Sequence, residues 1–149
     1  MRAVVQRSGK ARVEVSGDVV GAISAGVVIL LGITATDGDQ EASWLASKVA
    51  NLRIFNDDEG KMNRSLLDVS GEVLLVSQFT LYGDTRRGRR PSFITAAQGP
   101  EARAVYERSI EAFRALGVRT ETGEFGAEMD LSLTNRGPTT ILLDSAKTF

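Results

Sequence analysis

Two short polar stretches carry the residue types that could do chemistry. Ser77-Gln78-Phe79-Thr80 follows Val73-Leu74-Leu75-Val76, an unbroken apolar run of the kind seen in strands buried on both faces. A hydroxyl, an amide and a second hydroxyl therefore sit at the end of a buried strand. An unpaired buried polar group there costs about 1–3 kcal/mol. A ligand would supply partners; so would an internal polar cap, and this stretch alone leaves both open. Leu81-Tyr82-Gly83-Asp84 then leads into a loop bearing Arg86, Arg87, Arg89 and Arg90. These cations suit phosphate oxygens, although a solvated loop has the same composition. The second stretch, Asn135-Arg136-Gly137-Pro138-Thr139-Thr140, interrupts two strand-like runs with a sharp Gly-Pro turn. A cis bond there would re-aim the neighbouring carbonyls as fixed acceptors; an ordinary trans turn is the commoner arrangement.

The missing residues narrow the chemistry. The 149 residues include no histidine and no cysteine. Ser-His-Asp and Cys-His catalysis are excluded, as is nearly every zinc site. No side chain is left that titrates near neutrality without perturbation. Catalysis must use carboxylates, lysine, hydroxyls, backbone amides or the substrate's own groups. The net charge of -1 offers no global attraction to nucleic acid, so any basic face is local. Asp57-Asp58-Glu59 is acidic but lacks the ligand spacing of an EF-hand loop, and reads as a solvated turn. Neither a metal nor a cofactor is expected. No apolar run is long enough for a membrane, and the first residues lack a signal-peptide block, so a cytoplasmic location is expected.

The length suits one domain over residues 1–149, and 42% hydrophobic residues suffice for a core. Ala3 to Gln6, Ala11 to Val15, Val19 to Ile23 and Val27 to Ile33 read as strands, joined by Ser16-Gly17-Asp18 and Ser24-Ala25-Gly26, as in a meander. Trp44, Leu45, Val49 and Leu52 recur at helical spacing after a cap at Asp37 or Asp39, with Trp44 as a core anchor. Gly99-Pro100-Glu101 opens a second helix, and Gly117 closes it. Val118 to Thr122 is a short strand. The glycines of Gly123-Glu124-Phe125-Gly126-Ala127 suggest close backbone approach. Met129 to Thr134 and Thr139 to Asp144 read as two further strands. The expected class is α/β: a mixed β core with two helices on one side.

Nearly the whole chain resembles the D-aminoacyl-tRNA deacylases. Met1-Arg2-Ala3-Val4-Val5-Gln6-Arg7, Asn51-Leu52-Arg53-Ile54-Phe55, Lys61-Met62-Asn63, Arg89-Arg90-Pro91-Ser92-Phe93 and Thr122 to Ala127 are similar to that family. Ser77-Gln78-Phe79-Thr80 matches its SQxT motif, and Asn135 to Thr140 matches its NxGPxT motif. Each motif is weak alone; together, in this order, they are specific. Ser8 and Thr139 replace usual apolar residues without touching a motif position. The resemblance implies the family's own α/β fold and a homodimer. It also implies a substrate, a D-amino acid or glycine esterified to the terminal adenosine of tRNA. It places Ser77, Gln78, Phe79 and Thr80 in the catalytic part of each pocket. It takes a cis Gly137-Pro138 from the partner subunit, with Asn135, Thr140 and Arg7, for the substrate's amino group and for chirality. Arg7 would brace the Gly-Pro loop, or be a surface arginine.

An aminoacyl ester is already activated, so fixed geometry and oxyanion donors serve it better than a strong base. The Phe79 and Thr80 N–H groups suit that role. Thr80 has no evident base to make it a nucleophile. Attack by water, aided by the substrate's 2′-hydroxyl, is expected, with rejection of L-substrates by a backbone clash. Two other readings compete: an editing domain for wrong L-aminoacyl-tRNA, and a non-catalytic nucleic-acid-binding module.

Overall fold

The computed structural model describes residues 1–149. Strand β1 (Arg2–Val15) is the axis of the sheet. Its first half pairs antiparallel with β3 (Gly26–Gly32), and its second half with β2 (Asp18–Ile23). The long β8 (Asp130–Asp144) runs antiparallel along its other side. β6 (Glu72–Ser77) lies parallel to β3, and β7 (Thr120–Thr122) parallel to β6. Parallel neighbours need long crossovers, and two helices provide them: α1 (Asp39–Ala50) between β3 and β6, and α2 (Gly99–Ala115) between β6 and β7. A small hairpin, β4 (Phe55–Asn56) with β5 (Met62–Arg64), sits within the first crossover. The expected mixed α/β core with two helices is what the chain forms.

Alternation along the central strands makes two cores. Val27, Ile29 and Leu31 of β3, with Val73 and Leu75 of β6, face Leu45, Val49, Ile110 and Phe113 of the helices. The intervening Val28, Leu74 and Val76 face a smaller cluster with Ala11, Val13 and Ile23. Strands buried on both faces need continuous apolar runs, which explains the composition of β3 and β6. The sheet curls so tightly that a Cβ on Gly21 of β2 would stand 2.2 Å from the carbonyl oxygen of Thr122 in β7.

Four local expectations are corrected. The first strands are not a meander, because β2 and β3 do not pair with each other; each pairs with a different half of β1. Ala3–Gln6 and Ala11–Val15 are one strand, continuous through Gly9, where an added Cβ would stand 2.8 Å from Arg136 Nε. Likewise β8 does not break at Asn135-Arg136-Gly137-Pro138. It bulges there, between the pairs Ser8–Asn135 and Gln6–Thr140, and pairing with β1 resumes. The α1 cap is Gly38, whose N–H donates to the Glu41 carboxylate at 2.9 Å. Asp37 instead accepts the Thr34 N–H at 2.8 Å and pairs with the Met1 amine at 2.7 Å. Trp44 packs against the core but stays half-buried.

Candidate active site

Strand β6 ends at Ser77, and the chain turns at once into one turn of 3-10 helix, Phe79–Tyr82. The Gln78 N–H donates to the Leu31 carbonyl at 2.7 Å, which ties the turn to the end of β3. Leu81 and Tyr82 lean on Gly32, where a Cβ would meet Leu81 Cβ at 3.1 Å and Tyr82 Cδ2 at 3.2 Å. The Phe79 ring is half exposed and meets Phe93 edge-on, with centroids 5.0 Å apart. The Gln78 amide Nε2 donates to the Thr80 hydroxyl. Ser77 and Gln78 are half-buried and Thr80 is exposed. The leading N–H groups of such a turn have no partner within it, so those of Phe79 and Thr80 are available to a ligand.

Ser77, Gln78 and Phe79 border a cavity of about 470 Å³ with mostly apolar walls. Leu31, Ile33 and Val76 supply its sheet side; Gln98, Gly99 and Ala102 come from the start of α2; Phe125, Gly126, Ala127, Met129 and Leu131 complete it. An apolar cavity with a few convergent polar groups at its edge is the usual form of a small-molecule site.

The second motif is well ordered by its neighbours but lies elsewhere. The Gly137-Pro138 bond is cis, and Gly137 has φ +127. Arg7 Nε donates to the Arg136 carbonyl at 2.9 Å, while its Nη1 donates to Ile54 O at 2.7 Å and Asn56 Oδ1 at 3.2 Å. Asn135 Oδ1 accepts the Thr139 N–H at 2.8 Å, and its amide donates to Thr140 Oγ1 at 2.9 Å. Gly137 and Pro138 are exposed. They stand beside Arg7 on β1, whereas Ser77 aligns through Leu31 with Ala3 of β1. The offset is four residues along β1 and three strand spacings across the sheet, about 20 Å at ~3.3 Å per residue and ~4.8 Å per strand. Within one chain the two motifs do not meet.

All four loop arginines are exposed, and Arg86 alone among them makes an ion pair, with Asp84 at 2.6 Å. Hydrogen bonds from the Arg86 side chain and N–H hold the Asp84 carboxyl down at about 2. Burial, aided by the Asp37 charge, pushes the Tyr82 hydroxyl up to about 12, so it stays protonated.

The family model described as D-Tyr-tRNA(Tyr) deacylase matches residues 4–144. The chain belongs to this family, the D-aminoacyl-tRNA deacylases. A D-aminoacyl-tRNA deacylase from Thermus aquaticus is 59% identical over 147 residues, covering 99% of this chain and 97% of that protein. One from Symbiobacterium thermophilum is 56% identical over 149 residues, covering 100% and 99%. Among solved structures, a c-Myc DNA unwinding element binding protein has TM-score 0.90 at 39% identity, covering 97% of this chain and 99% of that one. A probable eukaryotic D-amino acid tRNA deacylase has TM-score 0.82 at 20% identity, over 95% and 97%, a likeness of fold. The deacylase membership makes the chain an enzyme of the hydrolase class.

Sequence reasoning missed most of the pocket's walls. The start of α2, Met129 and Leu131 reach the cavity only through the fold. The close backbone approach expected at the glycine-rich loop is not found: a Cβ on Gly123 would stand 2.6 Å from the Met129 side-chain Sδ, and Gly126, with φ +82, has nothing within 4 Å. Ser8, an oddity in sequence, is 2% exposed and donates its hydroxyl to the Thr134 carbonyl at 3.3 Å.

Proposed function

We propose that this deacylase hydrolyses the ester joining a D-amino acid, or glycine, to the 3′-terminal adenosine of tRNA. The products are the free amino acid and the free tRNA, and the role is chiral proofreading in the cytoplasm. The observation that carries the reading is the Ser77–Thr80 turn at the mouth of an apolar cavity, with unpartnered N–H groups at its start. Water attacks the ester carbonyl, the Phe79 and Thr80 N–H groups receive the developing oxyanion, and the 2′-hydroxyl of the terminal ribose assists proton movement. Thr80 positions the substrate. Its hydroxyl accepts from the Gln78 amide, a donor that cannot take its proton.

Gly137 and Pro138 act in the partner's pocket of a homodimer. The separation of about 20 Å within one chain supports this arrangement. Their main-chain carbonyls hold the substrate's amino group, with Arg7, Asn135 and Thr140 keeping the loop in shape. An L side chain would run into that backbone; a D side chain points away. Arg87, Arg89 and Arg90 take tRNA phosphates, while Arg86 is held by Asp84.

A second reading, nucleic-acid binding without catalysis, draws on the name of the structure at 39% identity. One assay separates the readings: hydrolysis of matched D- and L-aminoacyl-tRNA by the purified protein, with sedimentation at micromolar concentration. Rapid release from the D-substrate alone, by a dimer, is expected. Binding without release supports the second reading, release from L-substrates supports an editing domain, and a fully active monomer rules out the shared site.

A further inference from the structure

We propose that Arg2 is a positioning residue for this hydrolysis, holding the Phe79–Tyr82 turn through the Leu81 carbonyl and the Tyr82 ring. Arg2 starts β1 and is not among the residues that line the cavity. Its Nη1 donates to the Leu81 carbonyl at 3.2 Å, and its guanidinium carbon stands 4.7 Å from the Tyr82 ring centre. The last carbonyls of a short helix have no partner within it, and a cation there meets both the hydrogen-bond need and the dipole.

The guanidinium is itself fixed from behind. Its Nε faces Asp144 Oδ2 at 3.4 Å, its Nη2 faces Thr148 Oγ1 at 3.5 Å, and the Phe149 ring lies 5.6 Å away. Burial works to raise the Asp144 carboxyl, but the Thr148 hydroxyl, the Ala146 N–H and Arg2 outweigh it and hold it below its ordinary value. The carboxylate is thus charged at neutral pH, where it faces the guanidinium. The side chain is 32% exposed, so most of it is packed. These contacts form a strut from the end of β8, through Arg2, to the turn that carries Thr80 and the oxyanion donors. The turn also rests on Gly32, the cross-strand partner of Arg2, whose missing Cβ lets it come close. A lysine would keep the charge but not the planar fork that reaches a carbonyl, a carboxylate and a ring together.

The inference rests on the hydrolase reading, so its test uses a readout that does not depend on activity. Amide hydrogen exchange across residues 78–83 is compared in wild type, Arg2→Met and Arg2→Lys, alongside kcat, KM and melting temperature. Arg2→Met is expected to exchange faster in this segment alone. Its kcat should fall about tenfold or more, the scale of a small misplacement of reacting groups. KM should stay within about twofold, since the tRNA contacts lie elsewhere. Arg2→Lys should recover little, whereas methylguanidinium should return part of the lost rate to Arg2→Met. Unchanged exchange at 78–83 overturns the strut, whatever the activity. Full recovery by lysine overturns it too, as does a kcat loss that merely tracks the unfolded fraction. If the wild type fails to hydrolyse D-aminoacyl-tRNA, the proposed function falls, and faster exchange in Arg2→Met still supports the strut.

Discussion

Gly137→Ala probes the proposed chiral gate most directly, because its cost can be worked from the geometry. A Cβ at this position would stand 2.6 Å from Arg7 Nη2 and 2.6 Å from Thr139 Oγ1, in a backbone with φ +127. The backbone conformation alone costs an L-residue about 1–3 kcal/mol. Arg7 must also swing away, loosening its bonds to the Arg136 and Ile54 carbonyls. Hydrogen bonds to a charged group are worth about 1.5–3 kcal/mol, and the partial exposure of Arg7 puts this one at the low end. Together these come to about 2.5–4.5 kcal/mol, which at ~3 °C per kcal/mol predicts a melting temperature lower by about 8–14 °C for a chain of this size. Gly60→Ala is the control: Gly60 has φ +80 with nothing within 4 Å, so it carries backbone strain without crowding. It should cost about 3–9 °C and leave hydrolysis untouched. In Gly137→Ala, displacement of the loop by an ångström should lower the D-substrate rate by about a hundredfold and compress the D-to-L ratio. The assay is hydrolysis of D- and L-aminoacyl-tRNA carrying the same side chain. A Gly137→Ala protein that melts like Gly60→Ala, with an unchanged D rate and D-to-L ratio, would refute the reasoning.

Thr80→Ala should keep appreciable activity, whereas tRNA ending in 2′-deoxyadenosine should be cleaved far more slowly; a trapped acyl-Thr80 would overturn that mechanism. Asp84 should titrate with a midpoint of about 2 by NMR. Its folded pKa lies below the ordinary carboxylate value of about 3.9, so its hold on Arg86 is complete above that value and lost as pH falls through about 2. A midpoint near the ordinary value would show that the two side chains do not pair in solution. Finally, co-expressed Gln78→Ala and Gly137→Ala chains should complement, since each mixed dimer holds one pocket with both motifs intact. About a quarter of wild-type activity is expected from random pairing, and none if each pocket is built from one chain.

Legibility in the sequence followed burial. β3 and β6 were readable because strands covered on both faces must be apolar throughout, and α2 because Gly99-Pro100 and Gly117 mark its ends. β1 was read as two pieces, Ala3 to Gln6 and Ala11 to Val15, because no apolar residue falls between them over Arg7 to Lys10. It stays extended because β8 and Arg136 need Gly9 to be small, a demand made about 125 residues away that no local window contains. The same is true of Asp37, a plausible helix cap whose carboxylate is taken by Thr34 and the Met1 amine. The motif residues stood out as polar groups at the end of an apolar run. The apolar walls around them did not, because Ala97, Ala102, Met129 and Leu131 look like any core residues until the fold brings them to one cavity.

A chain without histidine has to find precision in its main chain, and β1 is where that precision is set. Near one end Arg2 bonds the Leu81 carbonyl behind the SQxT turn; five residues on, Arg7 bonds the Arg136 carbonyl beside Gly137. Both arginines use a planar fork to fix a backbone carbonyl, which a hydroxyl or a lysine does less rigidly. Neither lines the cavity beside Ser77. In the proposed dimer each pocket takes its turn from one protomer and its Gly-Pro loop from the other. The strand that braces a protomer's own turn then also braces the gate of its partner's pocket. Errors in strand position would move the two halves of different pockets together. This gives a physical reason for β1 to be long, paired on both sides, and apolar on its inward face at Ala3, Val5, Ala11 and Val13.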